Sequence, residues 1–270
     1  MGFAILGLAV AQANALAGAS IAAQDVPQSA PEVRRPQARS QQERTDFNAA
    51  YALTNAANEE AAANNFSAKY PASELRHYLY SSAMLLYQRE NNSAKMQAMG
   101  EKVLELDPDN PLALVLTATA LADGLGDHDR DREKKIGMIR RNATRAIQVA
   151  EVSYAGSSAG TTQVYKSTLQ SMAYSALGIM KLKTGDDAGA ENDLNTAAEL
   201  VKIHPDPYVW YHLALAQDHR KKYAAALGSI NQALQLASSD PDLQKLAEVE
   251  HVRLSGLVKV THDGEPTEPQ

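Results

Sequence analysis

"YSALGIMKLKTGDDAGAENDLNTA" (residues 174–197) and "WYHLALAQDHRKKYAAALGSINQA" (residues 210–233) carry one steric template twice. Tyr174, Leu177, Gly178, Ala190, Leu194 and Ala197 map onto Trp210, Leu213, Ala214, Ala226, Ile230 and Ala233, every pair 36 residues apart. Six coincidences of size class at a single offset mark an internal repeat. The apolar spacing within each copy is helical. A large aromatic residue opens the first helix, and small Gly178 or Ala214 lets the second helix come close. Ala190 or Ala226 sits at the crossing; Leu194 or Ile230 and Ala197 or Ala233 fill the space toward the next pair. The repeated unit is a helical hairpin.

Outward from these copies, helical spacing runs from about residue 46 to about residue 258, and no stretch alternates with period two. "KYPAS", "LDPDNP", "KTGDD", "IHPDP" and "SSDPD" punctuate it, with Pro, Gly and Asp ending one helix and capping the next. Abundant alanine, with only three Phe and one Trp, suits closely packed helices. The expected fold class is all-α.

The template resembles the tetratricopeptide repeat, W-x-x-L-G-x-x-Y…A-x-x-x-F…A…P. Trp210, Leu213, Ala214, Ala226, Ile230, Ala233 and Pro241 follow it in one copy. Tyr174, Leu177, Gly178, Ala190, Leu194, Ala197 and Pro205 follow it in another. Lys181 and Gln217 stand where Tyr is usual. A weaker copy has Tyr80, Ala83, Met84, Tyr87, Met96, Val103 and Pro108, with Gly100 in place of a large residue. A stretched copy opens with Leu114, Thr117, Ala118 and Leu121 and ends with Ala143, Ile147 and Ala150. The resemblance implies repeats at 77–110, 171–206 and 207–240, a degenerate one at 111–152 with an insertion at about 122–136, and a cap from Asp242 to about Val258. Ahead of them, Phe66, Tyr70, Pro71 and Ser73 resemble envelope helical-repeat proteins, including outer-membrane assembly lipoproteins.

A right-handed superhelical stack, an α-solenoid, is what the resemblance implies, with the first helix of each pair lining a groove that grips a peptide or protein. Its groove-facing offsets fall on Tyr78, Ser81, Gln88 and Arg89, and on Tyr208, Tyr211, Asp218 and His219. Tyr208 and Tyr211 beside Trp210 make either an anchoring cluster or a seal between repeats. The implied function is a non-catalytic scaffold for a protein or peptide partner. A self-associating structural array is an alternative.

"AGSSAGTT" spells G-x-S-x-G around Ser158, the writing of a nucleophile elbow, and offers a serine hydrolase as another alternative. An elbow needs a strand before the serine, whereas "RRNATRAIQVAEVSY" upstream is helical by spacing. Ala150 to Tyr174 is 24 residues against 13 from Ala197 to Trp210, so the motif reads as a lengthened loop, with Thr161 or Thr162 capping the next helix. No catalytic residue is assigned.

Asp127, Asp129 and Asp131 copy the start of a calcium loop, but Arg132 replaces its glycine and Met138 its closing glutamate. His212 and His219 lie two turns apart on what reads as a wet helix face, and His204 and His251 complete no zinc pattern. Glu59 and Glu60 open a helix, where carboxylates suit the dipole. Asn65, Asn91 and Asn142 match the glycosylation spelling by chance. Neither metal nor cofactor is expected. A net charge of −6 and the lack of a basic face argue against nucleic acid, and the absence of cysteine excludes disulfides, thiol catalysis and a lipid-bearing cysteine.

The stretch "MGFAILGLAVAQANALAGASIAAQ" has an apolar run from Phe3 to Val10, then small-x-small sites at Ala15–Ala17 and Ala17–Ala19. It predicts a cleaved signal peptide over 1–23 and a periplasmic or secreted bacterial protein, with an uncleaved membrane anchor as the alternative. Residues 24–45, rich in Pro and Gln with Arg34, Arg35, Arg39 and Arg44, read as a disordered spacer that could touch an acidic membrane surface peripherally. Residues 259–270 should fray.

Overall fold

Capping side chains set where the helices begin. The computed structural model describes residues 36–150 and 159–263, and among them it contains eleven α-helices and no strand. These are α1 (Gln41–Tyr51), α2 (Ala56–Lys69), α3 (Arg76–Arg89), α4 (Ser93–Leu106), α5 (Pro111–Asp123), α6 (Arg132–Val149), α7 (Ala159–Lys183), α8 (Asp187–Leu200), α9 (Pro207–His219), α10 (Tyr223–Leu236) and α11 (Pro241–Asp263). Asn55, Asn92, Asn110, Asp186 and Asp206 each accept a first-turn backbone N–H through the side chain. The expected signal peptide at 1–23, spacer residues 24–35, Ser158 and tail residues 264–270 lie outside the described residues.

Consecutive helices pack as hairpins, α1–α2, α3–α4, α5–α6, α7–α8 and α9–α10, and α11 closes the row. α1 also touches α3, α5 touches α7, and α7 touches α9, so within these three pairs the first helices stand side by side. The result is an all-α solenoid of nested hairpins. Its turns repeat as the template does. Asn91, Gly185 and Lys221 all take a positive φ (55°, 82° and 61°), and Asn92, Asp186 and Lys222 each donate a backbone N–H to the carbonyl five residues back, on Tyr87, Lys181 and Gln217.

The template residues do what their sizes require. A Cβ on Gly178 would sit 2.5 Å from Leu194 Cγ, so only glycine lets α8 press this close. Leu194 is fully buried and also packs with Ala190, Leu213 and Ala216, joining its own hairpin to the next. Ala214, Ala226 and Ile230 repeat the arrangement, with Ala247 and Leu254 of α11 as the next layer. Gly100 departs from the template because α5 presses on α4: a Cβ there would lie 2.5 Å from Thr117 Cγ2. Tyr174 and Trp210 do not occupy equivalent seats. Both pack on Ala197, Ala198 and Val209, entering one seam from opposite sides. Tyr165, Leu169 and Met172, on the longer first part of α7, join the core of the preceding hairpins instead.

Lys181 and Gln217, which replace the usual tyrosine, each find a polar partner 12 residues on. Lys181 Nζ lies 2.7 Å from Asp193 Oδ2, and Ser229 Oγ donates to Gln217 Oε1 at 2.8 Å. Further polar ties span one repeat in sequence. Lys95 reaches Glu60, Lys102 reaches Asn64, Arg145 holds Asp109 through two 2.6 Å bonds, and Arg253 reaches Asp218 at 2.6 Å.

Several boundaries differ from expectation. The spacer ends early, because the Ser40 side chain caps the Glu43 N–H and Glu43 reaches back to the Arg39 N–H, a capping-box-like pair that starts α1 at Gln41. Phe47 then buries against Phe66, which makes α1–α2 a first hairpin. The long joint before Tyr174 is largely helix: α7 starts at Ala159, so Thr161 and Thr162 lie inside it rather than at its start. α11 continues to Asp263, through five residues of the expected tail. The insertion is an ordered loop at 124–131. Asp129 accepts from the Gly126 N–H and from Lys135, and Arg132 donates to the Lys183 carbonyl that ends α7.

The paired departures make a test. Lys181→Gln alone leaves Asp193 buried and unpaired, and should cost about 2 kcal/mol in urea unfolding. Lys181→Gln with Asp193→Ser imports the Gln217–Ser229 pair and should recover most of that loss. A double variant no more stable than the single one would refute the pairing.

Candidate functional site

The first helices α3, α5, α7, α9 and α11 carry the register positions that a hairpin stack turns inward. The two ends of this face differ in how completely their polar groups are satisfied.

On α9 the expected groove residues are spent on neighbouring helices. Tyr208 donates its hydroxyl to Asp240 Oδ2 at the start of α11 (2.9 Å), and burial followed by that carboxylate raises its pKa. Tyr211 packs with Ala214, Ile230 and Leu254, and burial raises its pKa as well. Asp218 pairs with Arg253 of α11, and His219 Nδ1 lies 2.9 Å from Asp187 of α8. Tyr208, Tyr211 and Asp218 thus seal the seam to α11. Sequence reasoning left anchor and seal equally open, because it could not see how far α11 reaches over α9.

On α3 the matching positions are less spent. Tyr78 is 39 % exposed, with its ring 4.0 Å from that of His77, and Arg89 is exposed. Ser81 and Gln88 are half-buried, and Ser81 Oγ and Gln88 Nε2 are shut off from solvent without a hydrogen-bond partner. Thr119 Oγ1 on α5 shares that condition. Thr119 lies five residues past Leu114, the opening template residue of its helix, which sets it on the same face at a level between Ser81 and Gln88. Sequence reasoning missed Thr119. The signal was present in "PLALVLTATALAD", which is apolar all round and so must be covered on the inner side too.

The inner face of α11 is also informative. Aligning Asp240-Pro241 with Asp206-Pro207 places Val249 and Val252 in groove register, and both are well exposed, at 63 % and 73 %.

The other candidates resolve into structural roles. α6 ends shortly before Ser158 and α7 begins just after it, so the flanking described elements are helices, not the strand and helix an elbow requires. Asp129 and Asp131 are paired to Lys135, and Asp127 to Arg132. His212 is not on a wet face: it is half-buried with Nδ1 2.9 Å from the Tyr208 carbonyl, and burial pushes its pKa down to about 4. Glu60 accepts from Tyr87 and Lys95, but Glu59 is fully buried, which a helix-opening carboxylate need not be. Among the described residues no three His, Asp or Glu are placed to hold a metal, and no helix is long and apolar enough to cross a membrane.

No protein-family profile and no curated protein matches the chain in sequence. Two solved structures resemble it loosely. One is a MamA RS-1 ArsTM double mutant, at 16 % identity and a TM-score of 0.36 over 68 % of this chain and 96 % of that one. The other is the APC/C hetero-tetramer Cut9–Hcn1, at 16 % identity and a TM-score of 0.35 over 78 % of this chain and 43 % of that one.

Proposed function

We propose that this protein is a non-catalytic scaffold of the bacterial cell envelope that holds a protein or peptide partner along the inner face of α3 and α5. One observation carries the reading. Ser81 Oγ, Gln88 Nε2 and Thr119 Oγ1 lie in groove register, closed off from water and without partners. Leaving a buried polar atom unpaired costs about 1–3 kcal/mol, so three on one face are a standing penalty, which a rotamer change that turns them outward to a docked chain's backbone groups would relieve. Exposed Tyr78 and Arg89 at the same end would add an aromatic contact and a charge. The envelope location rests on the apolar run Phe3–Val10 and the small-x-small sites that follow it. The seam role of Tyr208, Tyr211 and Asp218 moves the docking site away from α9.

Thr119→Val removes one unpaired hydroxyl without changing shape. It should stabilise the fold by about 1 kcal/mol and weaken binding of the partner retained from envelope extract about tenfold. Tyr78→Ala should weaken binding similarly while the far-UV spectrum stays helical. Unchanged binding in both variants would remove this docking site. A fluorophosphonate probe should leave the protein unlabelled; labelling lost on Ser158→Ala would establish the hydrolase instead. N-terminal sequencing of the mature protein should begin after Ala17 or Ala19, and an intact Met1 would refute export by cleavage.

A further inference from the structure

Glu59 sits in the first turn of α2 and is 0 % exposed, between Ala56 and Ala63, which are buried to the same degree. The faces around it belong to α1 and α3. From α1 the nearest titratable group is the Tyr51 phenol, itself raised by burial and then by the Glu59 charge. From α3 comes the Ser82 hydroxyl, which eases the carboxylate slightly but not in hydrogen-bonding geometry, so both carboxyl oxygens stay unpaired. The cations of α4 are engaged elsewhere: Lys95, with the Tyr87 hydroxyl of α3, serves Glu60, and Lys102 serves Asn64. Among the described residues no positive group acts on Glu59.

We infer that Glu59 makes the docking of the α1–α2 hairpin onto α3 depend on a proton, so that the first hairpin closes on the stack when the carboxyl is neutral and opens more readily when it is charged. The chemistry is that of an unpaired carboxylate in an apolar seam, whose charged form is poorly solvated there. Burial pushes its pKa from the ordinary 4.5 to about 7. The closed hairpin therefore binds the proton more tightly than the open one. Docking is unaffected below pH 4.5, weakens steadily as pH rises from 4.5 to about 7, and stays at its weakest above that. Full ionisation raises the opening constant about 300-fold. The device needs no bound partner and stands apart from the docking proposal.

Hydrogen exchange of the full chain, corrected for the intrinsic pH dependence of the chemistry, tests it. From pH 5 to pH 8 the α2 amides should lose on the order of a hundredfold in protection, while those of α9 and α10 hold. In Glu59→Gln, α2 protection should become independent of pH, and Glu59→Ala should behave likewise even if its protection is lower throughout. A pH-independent wild type, or the same loss in both variants, would overturn the inference.

Discussion

Two helices can approach to within a side chain's thickness only where one of them gives up its own side chain. Gly178 does so for Leu194, and the alanine at 214 comes near it for Ile230, keeping only a methyl group. Each large residue, once seated, also fills the floor on which the following hairpin rests, as Leu194 does for Leu213 and Ala216. Close approach inside one hairpin is therefore the same event as packing between hairpins. That coupling propagates the row from α1 to α11 and fixes the direction in which the first helices present their remaining side chains.

Polar groups reinforce the row without driving it. Ties such as Glu60–Lys95, Asp109–Arg145 and Asp218–Arg253 are mostly at the surface, where an ion pair contributes at most about 1 kcal/mol. Their value is register: each joins residues about one repeat apart, so a slipped pairing would leave several of them unmade. The Lys181–Asp193 and Gln217–Ser229 pairs lie deeper, and each suits only its own partner. The face left over is uneven. At α9 it is consumed by α11, whereas at α3 and α5 buried polar atoms remain unpaired.

The hairpins were legible because size classes recur at a fixed offset, and small-beside-large contacts leave a mark on sequence at any identity. Lys181 and Gln217 looked like flaws until Asp193 and Ser229 were seen opposite them; their compensation lies across a turn, where spacing alone does not point. α1 was hidden by composition, since Pro- and Gln-rich text outweighed the capping-box-like pair at Ser40 and Glu43. Offsets name a face, but whether Tyr211 is left exposed on it or packs in the layer of Leu254 depends on the reach of a helix whose end no cap announces. Thr119 was missed, and Glu59 was read only as a helix-opening carboxylate, for one reason: both are polar residues whose burial comes from neighbouring helices rather than from their own.

Excision of residues 174–209 probes the nesting of equivalent hairpins most directly, because it removes one 36-residue period and joins Ala173 to Trp210. Leu213 then inherits the seat of Leu177, and every remaining hairpin keeps a neighbour. The shortened chain should retain its helical signal per residue and unfold cooperatively in urea, as nearest-neighbour packing requires. A chain that loses helicity, or melts without a cooperative transition, would contradict the account.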